Sequence, residues 1–462
     1  MNIKKFFGTK GFYKKLLTVM VPILVQNAIT NFISLLDNIM VGQVGTEQMS
    51  GVSIVNQLIF VFNLCIFGTI SGAGLFGAQF FGKGDHEGVR HTFRFKLYVS
   101  VVILAGALAL FILGDDMLIS LYLHEGSETG DLALTLMYAK QYLAIMLIGL
   151  LPFTLTQIYS GTLREAGQNT PPMVAGIVGV CVNLMFNYVL IFGKLGAPAL
   201  GVEGAAIATI ISRFVECIFI IIWTHTHKDK CEFIRKAYRS FYVPAALMKA
   251  IAKKGFPLLL NETLWAAAQA TLLQCYSVRG IAVVSALNIS NTIFNTFSVL
   301  FLAVGSAIAL MLGHILGTGD IEGARDAARK MITFSFGMGI LAGIFVSICA
   351  PVFPLIYNTT AEVKALATDL TFVIAAAAPI HAYINATYFT MRSGGKTLTV
   401  FMFDSVYAWG VNVLLAFILA NLTSLPILLV YVCCQGIDIL KGILGTVLVA
   451  RGKWAVDLTK KI

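Results

Sequence analysis

The sequence has little charge. Charged residues make up 12% of its 462 residues and hydrophobic residues 58%, whereas a typical soluble domain has about 25% charged residues. The mean hydropathy is +0.83. This balance excludes an ordinary soluble domain and predicts an integral membrane protein, whose length is set by its number of membrane spans.

Several chemical signals are also missing. The eight cysteines lie mostly inside apolar stretches without paired spacing, so we expect neither disulfides nor cysteine-bound metal. The glycine-rich turns at residues 82–85 and 317–320 lack the Lys-Ser/Thr of a P-loop, so ATP is not expected to be the direct energy source. We therefore expect no enzymatic activity and no cofactor. The basic segment 1–15 precedes an apolar run without a cleavage-like motif, which predicts an uncleaved first span.

What the sequence does contain is an internal repeat at an offset of 235 residues. Residues 82–90 and 317–325 share six identities in nine positions. Without a gap, residues 22–90 and 257–325 share 15 identities in 69. A duplicated hydrophobic chain predicts two similar helix bundles facing each other across a cavity that can open to either side.

The apolar stretches predict an all-α membrane protein with twelve transmembrane helices in two pseudo-symmetric six-helix lobes. The predicted spans are residues 16–40, 52–80, 96–113, 135–159, 171–193, 203–223, 255–278, 284–313, 331–356, 365–390, 398–420 and 425–448. We predict an N-terminal lobe at residues 1–223, a cytoplasmic inter-lobe linker at 224–254 and a C-terminal lobe at 255–462. Because each repeat has six spans, the lobes are expected to be related by an axis along the membrane normal.

The basic residues predict the orientation of these spans. Most of the 33 Lys and Arg residues lie in loops on the side of the N-terminus, whereas acidic residues crowd the loop at residues 114–134. By the positive-inside rule, we expect a multi-pass protein of the inner (cytoplasmic) membrane with both termini cytoplasmic. The net charge of +10 is then explained by topology and contact with anionic membrane lipids, and no nucleic-acid partner is expected.

Polar side chains within the first half mark candidate functional positions. Asp37, in the outer half of span 1, has no cation nearby in sequence, so it could take up a proton or bind a metal ion with neutral oxygen ligands. Asn183 and Asn187 in span 5 are one turn apart on one helix face and could complete an oxygen shell. The alternatives are that Asp37 caps a broken helix and that the asparagines only hydrogen-bond neighbouring helices.

The second half contains its own candidates. Glu262 in span 7 occupies the position that is equivalent to Asn27 in the repeat. His381 in span 10 titrates near neutral pH when unperturbed, although a lone intramembrane histidine can also be a satisfied polar contact. We expect both to lie near the cation or the substrate.

Further intramembrane charges have local partners. Arg213/Glu216 and Asp438/Lys441 are spaced i, i+3, which predicts that each pair neutralises itself on a helix face. Asp404 has no partner at helical spacing, and its role is open.

The duplicated spans 1, 2, 7 and 8 are rich in amides and hydroxyls, which predicts a face that lines water between the lobes. The predicted substrate-cavity residues are Gln57, Asn63, Asn288 and Asn295.

Taken together, these residues resemble the multidrug and toxic compound extrusion (MATE) family over essentially all twelve spans. The resemblance rests on Pro22, residues 36–42, 78–79 and 82–85, Pro171, Asn183, Asn187, Pro257, and residues 261–262 and 392–395. It implies alternating access and export of cationic or amphiphilic drug-like compounds, hence antibiotic resistance, by H⁺ or Na⁺ antiport.

The resemblance also implies roles for individual residues. Asp37, Asn183, Asn187 and Thr209 match the cation cluster of the N-lobe, where the first three would be ligands of a possible Na⁺, and Glu262 matches the acid of the C-lobe.

One position departs from the family pattern. In the NorM-like branch a second acid lies eleven residues before the arginine matched by Arg392, and this chain has His381 there. We therefore expect coupling through the N-lobe cluster or a proton-coupled Glu262/His381 pair. The alternative function is a lipid-linked oligosaccharide flippase of the same superfamily, which the scarcity of intramembrane basic residues disfavours. A monomer is expected.

Overall fold

The computed structural model describes residues 3–42, 45–120, 132–357 and 359–461, with the backbone alone for residues 3, 4, 33–39, 42, 46, 281 and 461. The described residues form helices and connecting turns, without a strand. The helices are α1 Lys10–Gly42, α2 Thr46–Lys83, α3 His86–Leu113, α4 Asp115–Ser120, α5 Leu132–Glu165, α6 Thr170–Phe192, α7 Val202–Thr226, α8 Ala245–Ser277, α9 Ile281–Gly317, α10 Ile321–Cys349, α11 Ala361–Ser393, α12 Thr397–Phe401, α13 Leu414–Leu422, α14 Ile427–Gly436 and α15 Asp438–Ala450.

The described helices confirm the all-α membrane fold. Eleven helical segments are long and apolar enough to cross a membrane. The one predicted span outside these eleven is span 7, which corresponds to α8. This helix has 33 residues but is less apolar because it contains Asn261, Glu262 and Gln269. Two π-helical stretches, Met402–Val406 and Ala408–Val413, lie between α12 and α13 and complete span 11.

Some predicted boundaries were wrong. The helix of span 9 ends at Cys349 rather than at residue 356, because Pro351 and Pro354 follow and proline cannot donate a helical hydrogen bond. The helix of span 3 begins at His86 rather than at residue 96. Arg90 and Arg94, predicted to lie in a loop, therefore belong to this helix. The helix α1 runs from Lys10 to Gly42 without a break, and the side chain of Asp37 lies outside the described residues.

The repeated glycine-rich motif forms the same turn in both halves. Asp85 and Asp320 cap α3 and α10, and each carboxylate accepts a hydrogen bond from the backbone N–H three residues later at 2.8 Å. A short acidic side chain at this position satisfies one of the free N–H groups of the first turn. The preceding glycines have positive φ values of 79° and 83°, which glycine adopts without steric cost. The predicted tight turns are therefore confirmed.

The chain divides into two compact units. Unit 1 contains Met1–Leu24, Ala78–Gly84 and Ala250–Ile462, and unit 2 contains Val25–Gly77 and Asp85–Lys249. The predicted lobe and linker boundaries stay predictions.

Each unit has its own apolar core. A main core of unit 1 is formed by α8, α9, α11, α13 and α14, whose buried residues include Leu287, Leu370 and Tyr431. In unit 2, α7 packs against both α5 and α6. All eight cysteines lie in the described part of the chain and are free thiols there.

Candidate functional site

Three of the predicted N-lobe residues lie together in unit 2. Asn187 Nδ2 donates to Asn183 Oδ1 at 3.1 Å, and Asn183 Nδ2 donates to Thr209 Oγ1 at 3.4 Å. Both asparagines are buried, with 2% and 0% exposure. The neighbouring helices approach closely at Gly204 on α7, where a Cβ would lie 2.6 Å from a backbone oxygen of α6. The side chain of Asp37 lies outside the described residues, so its place beside this cluster stays a prediction.

A small cavity of about 30 Å³ adjoins this cluster within unit 2. It is lined by Ile59, Asn63, Met146, Gly149, Leu150, Phe153, Thr209, Ile210 and Arg213. This volume has room for about two waters, whereas pockets for drug-sized ligands measure roughly 300–1,000 Å³. In this conformation the cavity can therefore take water or a small ion.

Arg213 at the edge of this cavity has local partners. Its guanidinium lies 3.8 Å from Glu216 and 4.9 Å from the ring centroid of Phe153. The predicted Arg213/Glu216 pair is therefore confirmed as a contact.

The remaining predicted cavity residues are exposed. Gln57 lies on α2, and Asn288 and Asn295 lie on α9. Their role in a substrate cavity stays a prediction.

In unit 1, Glu262 lies against two residues of α11. Arg392 Nη1 is 3.3 Å from Glu262 Oε1, and the hydroxyl of Tyr388 donates to the same oxygen at 3.4 Å. Arg392 also donates to the Tyr388 hydroxyl at 3.1 Å, as i, i+4 neighbours can. The side chain of Arg392 is 5% exposed and that of Glu262 is 20% exposed. Tyr388 could not be predicted as a site residue, because nothing in its local sequence distinguishes it from other buried tyrosines.

Asp404 extends this network to α15. Lys441 Nζ donates to Asp404 Oδ1 at 2.8 Å, and Asn261 Nδ2 donates to Asp404 Oδ2 at 3.1 Å and to the Tyr388 hydroxyl at 3.3 Å. The prediction that Lys441 pairs with Asp438 on its own helix was therefore wrong. The π-helical stretch of span 11 brings Asp404 against Lys441, and this contact between helices takes the place of the i, i+3 contact.

His381 has a separate set of partners. Its Nε2 is 2.9 Å from Gln435 Oε1, and its Nδ1 is 3.9 Å from Asp438 Oδ2. Asp438 also accepts a hydrogen bond from Asn412 at 3.1 Å.

The predicted Glu262/His381 pair is not formed as a contact. Glu262, on α8, contacts Arg392 near the end of α11. His381 lies on α11 eleven residues before Arg392, which is about 16 Å along a helix axis. The two residues therefore have different partners. His381 lies near Asp438, the acid that the sequence had predicted to pair with Lys441.

A further feature of unit 1 is a close crossing between the C-terminal ends of α2 and α9. A Cβ on Gly82 would lie 2.1 Å from His314 O, and a Cβ on Gly317 would lie 2.0 Å from Gln79 O. The two contacts are related by the 235-residue offset, since residues 82 and 79 correspond to 317 and 314. The crossing is therefore locally two-fold symmetric, and we call it the α2/α9 crossing.

The α2/α9 crossing also includes the equivalent residues Ala78 and Gly313, where a Cβ on Gly313 would lie 2.8 Å from the Cβ of Ala78. Small residues four apart on both helices allow the backbones to touch, as in tightly packed membrane helices. The sequence predicts Gly82 and Gly317 only as turn residues, so this contact is a finding of the structure.

The side chain of Gln79 ties the chain that follows α15 to this crossing. Gln79 Nε2 donates to Ser393 O and Val456 O, both at 3.1 Å, and its Oε1 accepts from Leu458 N at 2.6 Å. This amide is fully buried. Two of these bonds hold the segment after α15 against the end of α2, and the third joins the end of α11 to the same side chain.

Comparison with known proteins agrees with this architecture. The sequence pattern of the MatE family matches residues 22–189 and 257–418. The two matches begin at Pro22 and Pro257, the pair that the internal repeat superimposes. A probable multidrug resistance protein NorM of Thermotoga maritima is 24% identical over 451 residues, covering 96% of this chain and 93% of that protein. The corresponding protein of Halalkalibacterium halodurans is 27% identical over 431 residues, covering 89% and 88%.

Solved structures share the fold. An outward-facing multidrug resistance MATE family transporter of the MOP superfamily is similar with a TM-score of 0.86 and 19% identity, covering 98% of both chains. A MOP superfamily transporter from Pyrococcus furiosus, described as having a binding pocket of reverse polarity, is similar with a TM-score of 0.84 and 19% identity. The matched sequence pattern covers most of both halves of the chain. This chain is therefore a multi-pass membrane protein that belongs to the MatE family of transporters.

Proposed function

We propose that this transporter exports cationic or amphiphilic drug-like compounds by antiport with H⁺ or Na⁺ through alternating access. Family membership and relatives named multidrug resistance proteins support export of drugs. The observation that carries the coupling mechanism is the loosely held carboxylate of Glu262 in unit 1.

Two features of Glu262 suit it to exchange partners. Its contacts to Arg392 and Tyr388, at 3.3 and 3.4 Å, are longer than the roughly 2.7–2.9 Å of a strong charge-assisted hydrogen bond. Its side chain is also partly exposed, at 20%, so a proton or a cationic substrate can reach it. A single carboxylate cannot bind both at once, so protonation releases the substrate and substrate binding requires loss of the proton.

The cluster of Asn183, Asn187 and Thr209 is the second coupling site in this proposal. Amide and hydroxyl oxygens are ligands that a hard cation accepts, and the described cluster supplies them without a formal charge. The balancing charge for Na⁺ would come from Asp37. The same carboxylate can bind a proton instead, so the proposal includes either ion, and the transporter needs no cofactor.

Alternating access requires contacts between helices to form and break. In this proposal the α2/α9 crossing separates during the transport cycle. Its contacts at Gly82 and Gly317 are van der Waals contacts between backbones, so they can separate without leaving a buried charge unpaired.

The pairing of buried cations favours drug export over lipid-linked oligosaccharide flipping. Arg392 faces Glu262, and Lys441 faces Asp404. These pairs leave no excess positive charge at their positions, whereas a pyrophosphate group would require one.

We also propose that the protein works as a monomer in the inner (cytoplasmic) membrane with both termini in the cytoplasm. The support for this orientation is the concentration of most of its 33 Lys and Arg residues in loops on one side.

Expression in pump-deficient bacterial cells tests the function. We expect accumulation of cationic drugs to fall on expression, and the effect to depend on either the pH or the sodium concentration when the two are varied independently. Unchanged drug accumulation at normal expression, under every combination of pH and sodium, would show that these drugs are not its substrates.

A further inference from the structure

Residues 227–244, between α7 and α8, form a folded layer on unit 2 that we call the basic platform. Its inner side chains are buried, with Cys231 at 0%, Phe233 at 1%, Ile234 at 4% and Ala237 at 2% exposure. Burial raises the pKa of the Cys231 thiol to about 11, so the reactive thiolate is scarce at neutral pH. A segment anchored at this many positions is not a loose connection.

The side chain of Arg94, on α3, holds the backbone of the basic platform. Arg94 donates to Ala237 O at 2.8 Å, to Lys236 O at 3.0 Å and to Tyr242 O at 3.1 Å, and it is only 6% exposed. Lys236 has a φ of +61°, a conformation that is uncommon for residues other than glycine. The three bonds from Arg94 stabilise this conformation and fix the direction of the neighbouring side chains.

The outer side of the basic platform carries unneutralised positive charge. Arg235, Lys236 and Arg239 are exposed, and none of them forms an ion pair with another described residue. Two aromatic residues follow them in the chain, Phe241 at 65% and Tyr242 at 67% exposure. Cations followed by exposed aromatic rings are the composition of a membrane–water interface.

Contacts with α3 place these rings at the end of a lipid-facing stripe. The Tyr98 hydroxyl donates to Phe241 O, and the two rings are 6.4 Å apart. One turn further along α3, Val101 and Val102 are 57% and 71% exposed. An exposed apolar stripe on a membrane helix contacts acyl chains, so Phe241 lies where that stripe reaches the headgroups.

We infer that the basic platform binds the headgroups of anionic phospholipids. The guanidinium groups of Arg235 and Arg239 suit the phosphodiester, Lys236 adds a third cation, and Phe241 and Tyr242 insert at headgroup depth. The inference rests on the proposed orientation, which places the platform at the cytoplasmic leaflet, where anionic lipids attract basic segments.

Titration of the purified full-length protein with lipid tests this. In detergent, added phosphatidylglycerol should raise the thermal unfolding temperature more than phosphatidylcholine does. The triple variant Arg235→Gln, Lys236→Gln, Arg239→Gln should lower the apparent affinity for phosphatidylglycerol about a hundredfold. The matched control neutralises three exposed cations of unit 1, by Lys83→Gln, Lys253→Gln and Arg329→Gln. Its apparent affinity for phosphatidylglycerol should stay close to that of the wild type.

Two further arms identify the ligand. Inorganic phosphate at the same concentration should give no shift, because it has no acyl chain to place it beside the aromatic residues. The Phe241→Ser, Tyr242→Ser variant should weaken the response to both lipids. The inference is overturned if the arginine and lysine variant responds like the wild type, or if phosphate alone reproduces the shift. Neither result depends on transport, so it is distinguishable from failure of the proposed antiport.

Discussion

Glu262→Gln is expected to reduce the export of cationic drugs thirtyfold or more and to leave export of neutral drugs much less affected. Losing one partner of a buried charge pair costs about 2–5 kcal/mol, and 2 kcal/mol already corresponds to about thirtyfold in affinity. The glutamine keeps the shape of the side chain but removes the charge and the exchangeable proton. Drug accumulation with a matched pair of cationic and neutral substrates measures the effect.

The same substitution leaves Arg392 without the charge of Glu262, which can destabilise the protein by about 3–5 kcal/mol. The double variant Glu262→Gln, Arg392→Gln removes both charges, and it should recover stability but not cationic export. Glu362→Gln, an exposed acid on α11, is the control for loss of negative charge alone. Equal impairment of cationic and neutral export in a stable double variant would contradict a coupling role for Glu262.

The second large effect is expected from a disulfide across the α2/α9 crossing. Ala78→Cys and Gly313→Cys, in a background without the eight native cysteines, place two thiols where the Cβ atoms are 2.8 Å apart. A disulfide needs a Cβ separation of about 3.5–4.5 Å, so a small displacement of the helices allows it. Oxidation should abolish export, because in the proposed mechanism the crossing separates in every cycle, and a reductant should restore it.

Each single cysteine variant controls for the steric effect of its own substitution. Neither should respond to oxidant, and the reduced double variant should export drug at a rate near that of the singles. Full export with the disulfide formed, as judged by mobility on a non-reducing gel, would mean that the crossing stays closed throughout transport.

The sequence predicted features that depend on repetition or helical periodicity. The repeated Gly-x-Gly-Asp motif predicted the two turns, which the structure shows as equivalent helix caps at Asp85 and Asp320. The four-residue spacing of Asn183 and Asn187 predicted a shared face, and the two amides are hydrogen-bonded. Both features are local, so one helix or one turn determines them.

Contacts between distant helices could not be predicted in the same way. Lys441 forms its ion pair with Asp404, 37 residues away in sequence, and not with Asp438 at the i, i+3 position. The packing of the helices determines which charged side chains are in contact. The backbone contact of Gly82 with His314 depends on how two membrane helices cross. The buried residues of the polar stretch 224–254 could not be predicted, because its few apolar residues are interspersed with charged ones.

The most direct test of antiport uses the purified transporter in sealed lipid vesicles without ATP. Vesicles with a higher concentration of H⁺ or of Na⁺ inside are mixed with a fluorescent cationic drug, and uptake is followed with time. For an antiporter, at least one of the two ion gradients should drive uptake above the level reached without a gradient, and an ionophore for that ion should remove the effect. Uptake that is the same with and without either gradient, in vesicles shown to hold both, would contradict antiport.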